Sequence, residues 1–392
     1  MLARGRAGRS LGKGFCPTPG SLQMSSESDA KRASVAPTAP TSQGAKRKVG
    51  LKVPETALER VLIVLSRYRE ASIAVVAVVL VVYFQIGTNG TFLSAQELSV
   101  VLRDTGRFGL IAVAEVMLMI TGEIDLSVGS TFSLAPYVMV LMAIGWGVPL
   151  AVSAVAGIVL GVLIGVVNGV ITVRFRVPSL ITTVGTLFLV QGVVVSIYNS
   201  QPIVAPVQEP FNETFGQNLY GARDFLWSWH GLTAFTPFLW TVVVVAVMAV
   251  VLNRTTFGLH TVATGSNIVG AREIGVRTDR IKVYNFMIAG GLAAAAGIIN
   301  TAQFASADPL AGGPFLTLQA IAAAVIGGTS LLGGSGTPIG ALVGAFVVAT
   351  LNNGLVMMGA QATVSDIYLG AAIVLAMMLN VQVDRLRARR RI

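Results

Sequence analysis

The chain has 392 residues, of which 54% are hydrophobic and only 12% are charged, and its formal net charge is +10. Soluble globular domains carry about 25% charged residues, so the composition excludes an ordinary soluble protein and indicates a helical membrane protein. Nucleic-acid binding is not expected, because the basic residues cluster at the termini and in loops between apolar runs, where they anchor membrane helices on the cytoplasmic side. The single cysteine, Cys16, excludes an intrachain disulfide and a cysteine-based metal cluster.

Both ends of the chain are predicted to be basic cytoplasmic tails. Residues 1–66 are rich in Ser, Pro, Ala, Gly, Lys and Arg and lack apolar periodicity, which predicts disorder. Residues 24–28 read Met-Ser-Ser-Glu-Ser, which is typical of a protein start. We therefore hypothesise that translation begins at Met24 and that residues 1–23 are not translated. Residues 383–392 form the second tail.

Apolar runs predict about ten transmembrane helices within residues 67–382, since one span needs about 20 apolar residues. The second run is the least apolar, because Arg103, Asp104 and Arg107 fall in its first turns; the alternative is a helix that begins near Phe108 after an interfacial segment. The predicted spans are residues 71–87, 98–120, 130–146, 148–172, 179–199, 234–252, 283–303, 316–332, 338–359 and 365–380.

An even number of spans places both termini on one side of the membrane. Arginines and lysines are concentrated in residues 174–176, 254–282 and 385–391, which makes that side the cytoplasm. Residues 200–233 then lie on the outer side. In the fourth span, glycines recur every fourth residue on one helix face, which predicts close helix packing; they are Gly157, Gly161, Gly165 and Gly169.

Residues 122–130, with the sequence GEIDLSVGS, place the acids Glu123 and Asp125 between two long apolar runs. Gly122 and Gly129 bracket the acids and allow the backbone to leave the helical region. Many transporters build a solute path from a broken helix with polar groups at the break. The alternative is a short cytoplasmic loop whose acids are solvated.

The string GEIDLSVGS is similar to the signature of the membrane permease subunits of ribose- and xylose-type sugar ABC importers. That family usually reads Gly-Gly-Ile-Asp-Leu-Ser-Val-Gly, so Glu123 stands here in place of a glycine. Residues 165–187, 255–276 and 320–355 also match the family, in order, and the resemblance covers about residues 70–380. It implies an all-α, polytopic fold with broken segments, like that of type II ABC importer permeases.

The resemblance also implies a function. Residues 67–382 would be the permease domain of an ATP-driven importer that moves a monosaccharide, such as a pentose, across the inner membrane. The implied partners are a separate ABC ATPase that uses ATP-Mg, an extracytoplasmic sugar-binding protein and a second permease copy in a homodimer. The chain lacks a Gly-x-x-x-x-Gly-Lys-Ser/Thr phosphate loop, so it is expected to be no enzyme and to bind no cofactor. Its histidines, His230 and His260, fall in predicted loops and do not support a metal site.

Sugar hydroxyls need uncharged hydrogen-bonding groups along the solute path. The candidates in the spans and at the break are polar side chains and the glycines that shape the break. Each amide has an alternative role, which is to join two helices. The candidates are Gly122, Asp125, Ser127, Gly129, Asn168, Thr186, Gln191, Asn300, Gln303, Asn352 and Asn353.

The loop of residues 254–282 mixes apolar and polar side chains and is predicted to contain a short helix. Ser266 or Asn267 would cap its start and Gly275 would end it. In the family this stretch is the coupling helix, which docks in a groove of the ATPase. The alternative is an amphipathic loop on the lipid surface. The coupling candidates are Gly265, Ser266, Asn267, Ala271 and Gly275.

Two further functions remain open from the sequence. The first is a permease of the same superfamily for a nucleoside, a polyol or a branched-chain amino acid. The second is a stand-alone transporter driven by protons or sodium ions, with Glu115 or Asp125 as the ion-binding group.

Overall fold

A computed structural model describes residues 69–197, 200–206, 211, 215 and 236–360, together with residues 367, 368, 370, 371, 374, 375 and 378. Both predicted tails, the hypothetical start at Met24, most of the outer segment and most of the tenth predicted span lie outside these residues.

The described chain is almost entirely helical. Its elements, in order, are α1 Arg69–Gly87, α2 Ala95–Met119, α3 Val128–Trp146, α4 Leu150–Arg174, α5 Ser179–Ile197, β1 Ile203–Val204, α6 Thr236–Arg254, α7 Thr256–Ser266, α8 Ile268–Glu273, α9 Thr278–Phe304, β2 Ser306–Ala307, α10 Gly313–Ile326 and α11 Pro338–Met357. Six of the described helices are long and apolar enough to cross a membrane, and they are α3, α4, α5, α6, α9 and α11. The all-α, polytopic fold class is therefore confirmed.

Helix α2 is the buried centre of the fold. Residues 108–120 are all buried, and they pack against α6, α9, α10 and α11. The helix is continuous from Ala95, and the Ser94 hydroxyl caps it by accepting from the Glu97 N–H at 3.4 Å. The charged first turns and the apolar run after Phe108 therefore belong to one uninterrupted helix. Two charged residues of α2 have partners inside the protein: Asn353 donates to Asp104 at 2.9 Å, and Arg103 lies over the Phe304 ring.

Helix α10 is shorter than the sequence predicts. A span over residues 316–332 is wrong, because the helix has 14 residues and ends at Ile326. Gly328 ends it, because its φ of +86° is left-handed; next to it, a side chain on Gly327 would overlap the carbonyl oxygen of Gly340. The chain then passes through residues 327–337 before α11 begins.

Glycines let α4 approach α9 closely. A Cβ on Gly161 would overlap the carbonyl oxygen of Gly290 and lie 2.6 Å from the Cβ of Ala294. One turn further along, Gly165 faces the backbone of Phe286 in the same way. The packing role predicted from the four-residue spacing is confirmed, because backbones at this distance leave no room for a side chain.

A two-residue antiparallel pair was not predicted. Ile203 pairs with Ala307 and Val204 with Ser306, which ties the chain after α5 to the end of α9. Two residues are too few to show the alternation that reveals a strand in a sequence.

Replacing Gly161 by alanine should destabilise the protein, because the added methyl group overfills the contact with α9. Overpacking of this kind costs about 1–3 kcal/mol, and we expect a lower melting temperature in detergent. Gly192 on α5 is the matched control, because a Cβ there meets nothing within 4 Å. Gly192→Ala should leave the melting temperature unchanged or raise it slightly. Equal melting temperatures for the two variants would contradict the close approach of α4 and α9.

Candidate functional site

The helical structure is interrupted between α2 and α3, where residues 120–127 are not helical. We call these eight residues the break. The Thr121 and Gly122 N–H groups donate back to the Leu118 and Met119 carbonyls, which closes the end of α2. Gly122 then has a φ of +84°, a left-handed conformation that glycine adopts without strain. The predicted break is therefore present.

The Asp125 carboxylate organises this break. The side chain is buried, and its Oδ1 accepts from the Ser127 N–H at 2.8 Å and from the Ser127 hydroxyl at 2.6 Å. Asn168 on α4 donates from Nδ2 to Oδ2 of Asp125 at 3.3 Å and to the Ser127 hydroxyl oxygen at 2.8 Å. These donors supply the hydrogen bonds that a buried carboxylate needs in place of water.

The network extends to α5. The Thr186 hydroxyl donates to Oδ1 of Asn168 at 2.6 Å, and the Ile124 N–H donates to the Ser179 hydroxyl at 3.4 Å. Four predicted site residues, Asp125, Ser127, Asn168 and Thr186, are therefore brought into one chain of hydrogen bonds. We name these four residues the break network.

Glu115 lies beside the break network, and the sequence pointed to it only as a possible ion carrier. Its side chain is fully buried on α2, and Oε2 accepts from the Asp125 N–H at 3.4 Å. Among the described residues, Oε1 of Glu115 has no hydrogen-bond partner. The sequence shows the feature that reveals Glu115, an acid in the middle of an apolar run.

The starts of α3 and α10 meet at glycines. The Gly129 N–H donates to the Thr317 hydroxyl at 3.0 Å, and a side chain on Gly129 would overlap the Gly313 carbonyl oxygen. The Thr317 hydroxyl also lies 3.2 Å from the Leu126 carbonyl oxygen, to which it can donate. Thr317 thus joins α10 to the break, a role that its position in an apolar run did not reveal.

Gln191 lies further along α5 and contacts a different segment. Its Nε2 donates to the Pro309 carbonyl at 3.0 Å. From α2, the Arg107 guanidinium donates to the Ala311 carbonyl and lies over the Phe132 ring. Gln191 and Arg107 therefore hold the turn of residues 308–312 from two helices. Arg107, one of the charges that made the second span difficult to place, is a functional candidate that the sequence analysis missed.

The remaining pathway candidates do not join the break network. Asn353 donates to Asp104 and to the Ala349 carbonyl, both at 2.9 Å, so it joins α11 to α2. This is the alternative role, the linking of two helices. Asn300, Gln303 and Asn352 are half-buried, and within the described part of the chain their side chains form no hydrogen bond to the break network.

The loop of residues 254–282 contains the predicted short helix. Asn267 caps α8, because its Oδ1 accepts from the Gly270 N–H at 3.0 Å, and Gly275 follows the helix with a φ of +88°. Ser266 is not the cap. The structure adds a second helix, α7, which the sequence analysis did not predict; we name α7, α8 and the turn to α9 the docking loop.

Two coupling candidates face the protein itself. The Ala271 side chain is only 4% exposed and packs against Val276 and Ile281, which leaves little of its surface for a partner. A side chain on Gly265 would overlap the Ile120 carbonyl oxygen. Gly265 must therefore lack a side chain, and the Ala271 side chain is directed into this chain. In α8 and the turn that follows it, the exposed apolar side chains are Val269, at 63%, and Ile274, at 78%.

Comparison with known proteins assigns the chain to a family. The profile of a family described as "Branched-chain amino acid transport system / permease component" matches residues 97–377. The chain belongs to this permease family. It is similar to a xylose/arabinose import permease protein, XylH, of Sulfolobus acidocaldarius, with 34% identity over 79% of this chain and 83% of that protein. It is also similar to the autoinducer 2 import system permease protein LsrC of Salmonella typhimurium, with 33% identity over 77% of this chain and 82% of that protein. No solved structure matches.

The family and the apolar helices together define the class of protein. The chain is the permease subunit of an ABC importer, a transporter component and not an enzyme. It is a multi-pass protein of the inner membrane.

In this permease, the structure also gives Glu123 a partner. Its Oε1 accepts from Nζ of Lys282, which lies in the second turn of α9. The signature that the sequence resembles has glycine at this position, so the ion pair is a departure of this chain from that signature.

Asp125→Leu should impair the permease much more than Asp125→Asn. Leucine removes both acceptor oxygens, so the Ser127 N–H and the Asn168 N–H that point to Asp125 lose their acceptor, at about 1–3 kcal/mol for each unsatisfied group. Asparagine keeps one acceptor at the same size. Yield of folded protein and ATP-driven uptake measure the difference.

Asp308 supplies the matched control for stability, because its Oδ1 also accepts from an N–H two residues ahead, that of Leu310 at 2.8 Å. It lies in a half-exposed turn, so Asp308→Leu should lower the melting temperature less than Asp125→Leu. Near-normal folding and uptake by both Asp125 variants would show that the carboxylate does not organise the break.

Proposed function

We propose that this chain is the permease subunit of an ATP-driven importer for a monosaccharide, with a pentose as the best candidate. The observation that carries the proposal is the similarity, over 79% of the chain, to a protein named for xylose/arabinose import. The chemistry of the break network agrees with such a solute. Thr186 is half-buried and donates its hydroxyl hydrogen to Asn168, so its oxygen can still accept a hydrogen bond from a sugar hydroxyl.

The proposed path runs along α4 and α5, from the break network towards Gln191. Among the described residues, Oε1 of the Gln191 amide is buried without a hydrogen-bond partner, so it can accept from a solute hydroxyl. Asn300, Gln303, Asn352 and Asn353 belong to other helices. In this proposal they serve helix packing, as Asn353 does in its hydrogen bond to Asp104.

The partners follow from the importer class. A separate ATPase, which uses ATP-Mg, would dock on the face of the docking loop that exposes Val269 and Ile274, with Asn267 holding α8 in place. An extracytoplasmic sugar-binding protein would deliver the solute, and a second copy of the permease would complete a homodimer. Both termini would lie in the cytoplasm, on the side of the docking loop.

The mechanism in this proposal is alternating access. ATP binding brings the two ATPase subunits together, the docking loops move with them, and the path changes the side to which it opens. Two helical ends that meet at Gly129 and Gly313 lie beside the break, so a small rotation of either helix changes the width of the path there.

Two alternatives remain distinct from this proposal. The first is a permease of the same superfamily for another solute, such as a nucleoside, a polyol or a branched-chain amino acid. The family description names the last of these. The second is ion-coupled transport by the chain alone through Glu115 or Asp125. Asp125 accepts hydrogen bonds from the Ser127 N–H, the Ser127 hydroxyl and the Asn168 amide, which favours a structural role over an ion-carrying one.

Uptake of labelled xylose into vesicles should require the ATPase, the binding protein and ATP together. The reason is that this chain has no phosphate loop of its own. Competition by unlabelled arabinose, leucine, a nucleoside and a polyol separates the solute classes. Xylose uptake by the purified chain alone, driven by a proton gradient, would contradict the importer mechanism.

Ile274→Asp should weaken ATPase binding, because it places a charge on the proposed apolar docking face. Hot-spot contacts of this kind contribute about 2 kcal/mol or more, so co-purification should weaken more than tenfold. Leu310→Asp is the control. Leu310 is similarly exposed but follows the far end of α9, whose 27 residues extend about 40 Å. Normal ATPase binding by Ile274→Asp would show that this face is not the docking site.

A further inference from the structure

A largely buried ion pair connects the docking loop to the break. Glu123 and Lys282 are 159 residues apart in sequence, and their side chains are only 13% and 16% exposed. Such a pair is weakly screened by water and salt. Removal of one partner leaves the other charge without a counter-ion in a place where water compensates poorly.

Lys282 moves with α8, because the start of α9 is fastened to that helix. The Val276 N–H donates to the Ala271 carbonyl at 2.9 Å, and Arg272 donates to the Thr278 hydroxyl and to Asp279, both at 2.8 Å. Apolar contacts of Ala271 with Val276 and Ile281 add to these bonds. The six residues of α8 and the first two turns of α9 therefore behave as one body.

Glu123 lies in the break, two residues before Asp125. The Ile124 N–H, between them, donates to Ser179 at the start of α5. Over so short a stretch of chain, a displacement of Glu123 displaces Asp125 and its bonds to Ser127 and Asn168. The ion pair thus reaches the break network through two residues of backbone.

A second contact joins the docking loop to the break at the end of α7. Gly265 lies against the Ile120 carbonyl, which also accepts from the Gly334 N–H at 2.8 Å. Gly265 has no side chain, so its contact is a close approach of two backbones. Such a contact transmits compression but separates under tension, whereas an ion pair resists separation.

We propose that the Glu123–Lys282 ion pair transmits the outward movement of the docking loop to the break network. The Gly265–Ile120 contact transmits the inward movement. Glu123 and Lys282 are positioning residues: they hold the break in register with the ATPase and do not contact the solute. This inference rests on the proposed function, and it concerns a pair that the usual family signature, with glycine at this position, does not contain.

The first test measures xylose transported per ATP hydrolysed in vesicles that contain the permease, its ATPase and its binding protein. Glu123→Gln and Lys282→Met should leave ATPase binding and ATP hydrolysis intact but lower transport per ATP on the order of tenfold, within the usual range for coupling between sites. Reversal of the pair, Glu123→Lys with Lys282→Glu, should restore most of the lost coupling. A pair that only stabilises the fold would lower yield and leave this ratio unchanged.

Arg280→Met is the matched control, because it removes a positive charge from an exposed position two residues before Lys282. It should leave transport per ATP unchanged. Normal ratios in both single variants, or a reversed pair that assembles but remains as impaired as the single variants, would overturn the proposal.

A second measurement does not depend on the solute. In a Cys16→Ser background, the rate of alkylation of Ile124→Cys reports the state of the break. This rate should differ between nucleotide-free and ATP-trapped complexes, and Lys282→Met should abolish the difference. A difference that persists in Lys282→Met, or no difference with the pair intact, overturns the proposal. Failure of the ATPase to bind the unsubstituted permease at all overturns the proposed function instead.

Discussion

The architecture depends on one buried carboxylate. Asp125 has no access to water, so the protein must supply its hydrogen bonds, and it does so from the break itself and from α4. The same interaction determines the shape of the break, because the Ser127 N–H and hydroxyl must turn towards Oδ1. Asn168 passes the constraint to Thr186 on α5. A charge that is costly in a membrane protein thereby fixes three segments relative to one another.

Glycine provides the second constraint, because this protein is assembled by close contact between backbones. Gly161 and Gly290 bring α4 and α9 together, Gly129 and Gly313 bring the starts of α3 and α10 together, and Gly265 brings the docking loop against Ile120. In a membrane the hydrophobic effect does little to hold helices together, so dense packing has to do so. The last two contacts lie at the break, where small movements alter both packing and hydrogen bonding.

The docking loop combines an outer face with an inner one. Val269 and Ile274 are exposed and apolar, whereas Ala271 and Gly265 are directed into the protein. In the proposed function, force received on the outer face would pass through these contacts to reach the break. The capped helix α8, its bonds to the start of α9 and the Glu123–Lys282 pair together form such a connection.

The sequence by itself determined the features that depend on local pattern. Apolar runs located most of the helices, and Gly122 and Gly129 located the break. The residue that caps α8 was predicted to be Ser266 or Asn267. Four of the candidate pathway residues could be selected from the sequence, because polar side chains in apolar runs are few. Only the tertiary structure decided which of them meet, since Asn168 and Asp125 are 43 residues apart. It also decided that Ala271 is buried, that α10 ends at Ile326 and that Glu123 pairs with Lys282, because each of these depends on which segment packs alongside.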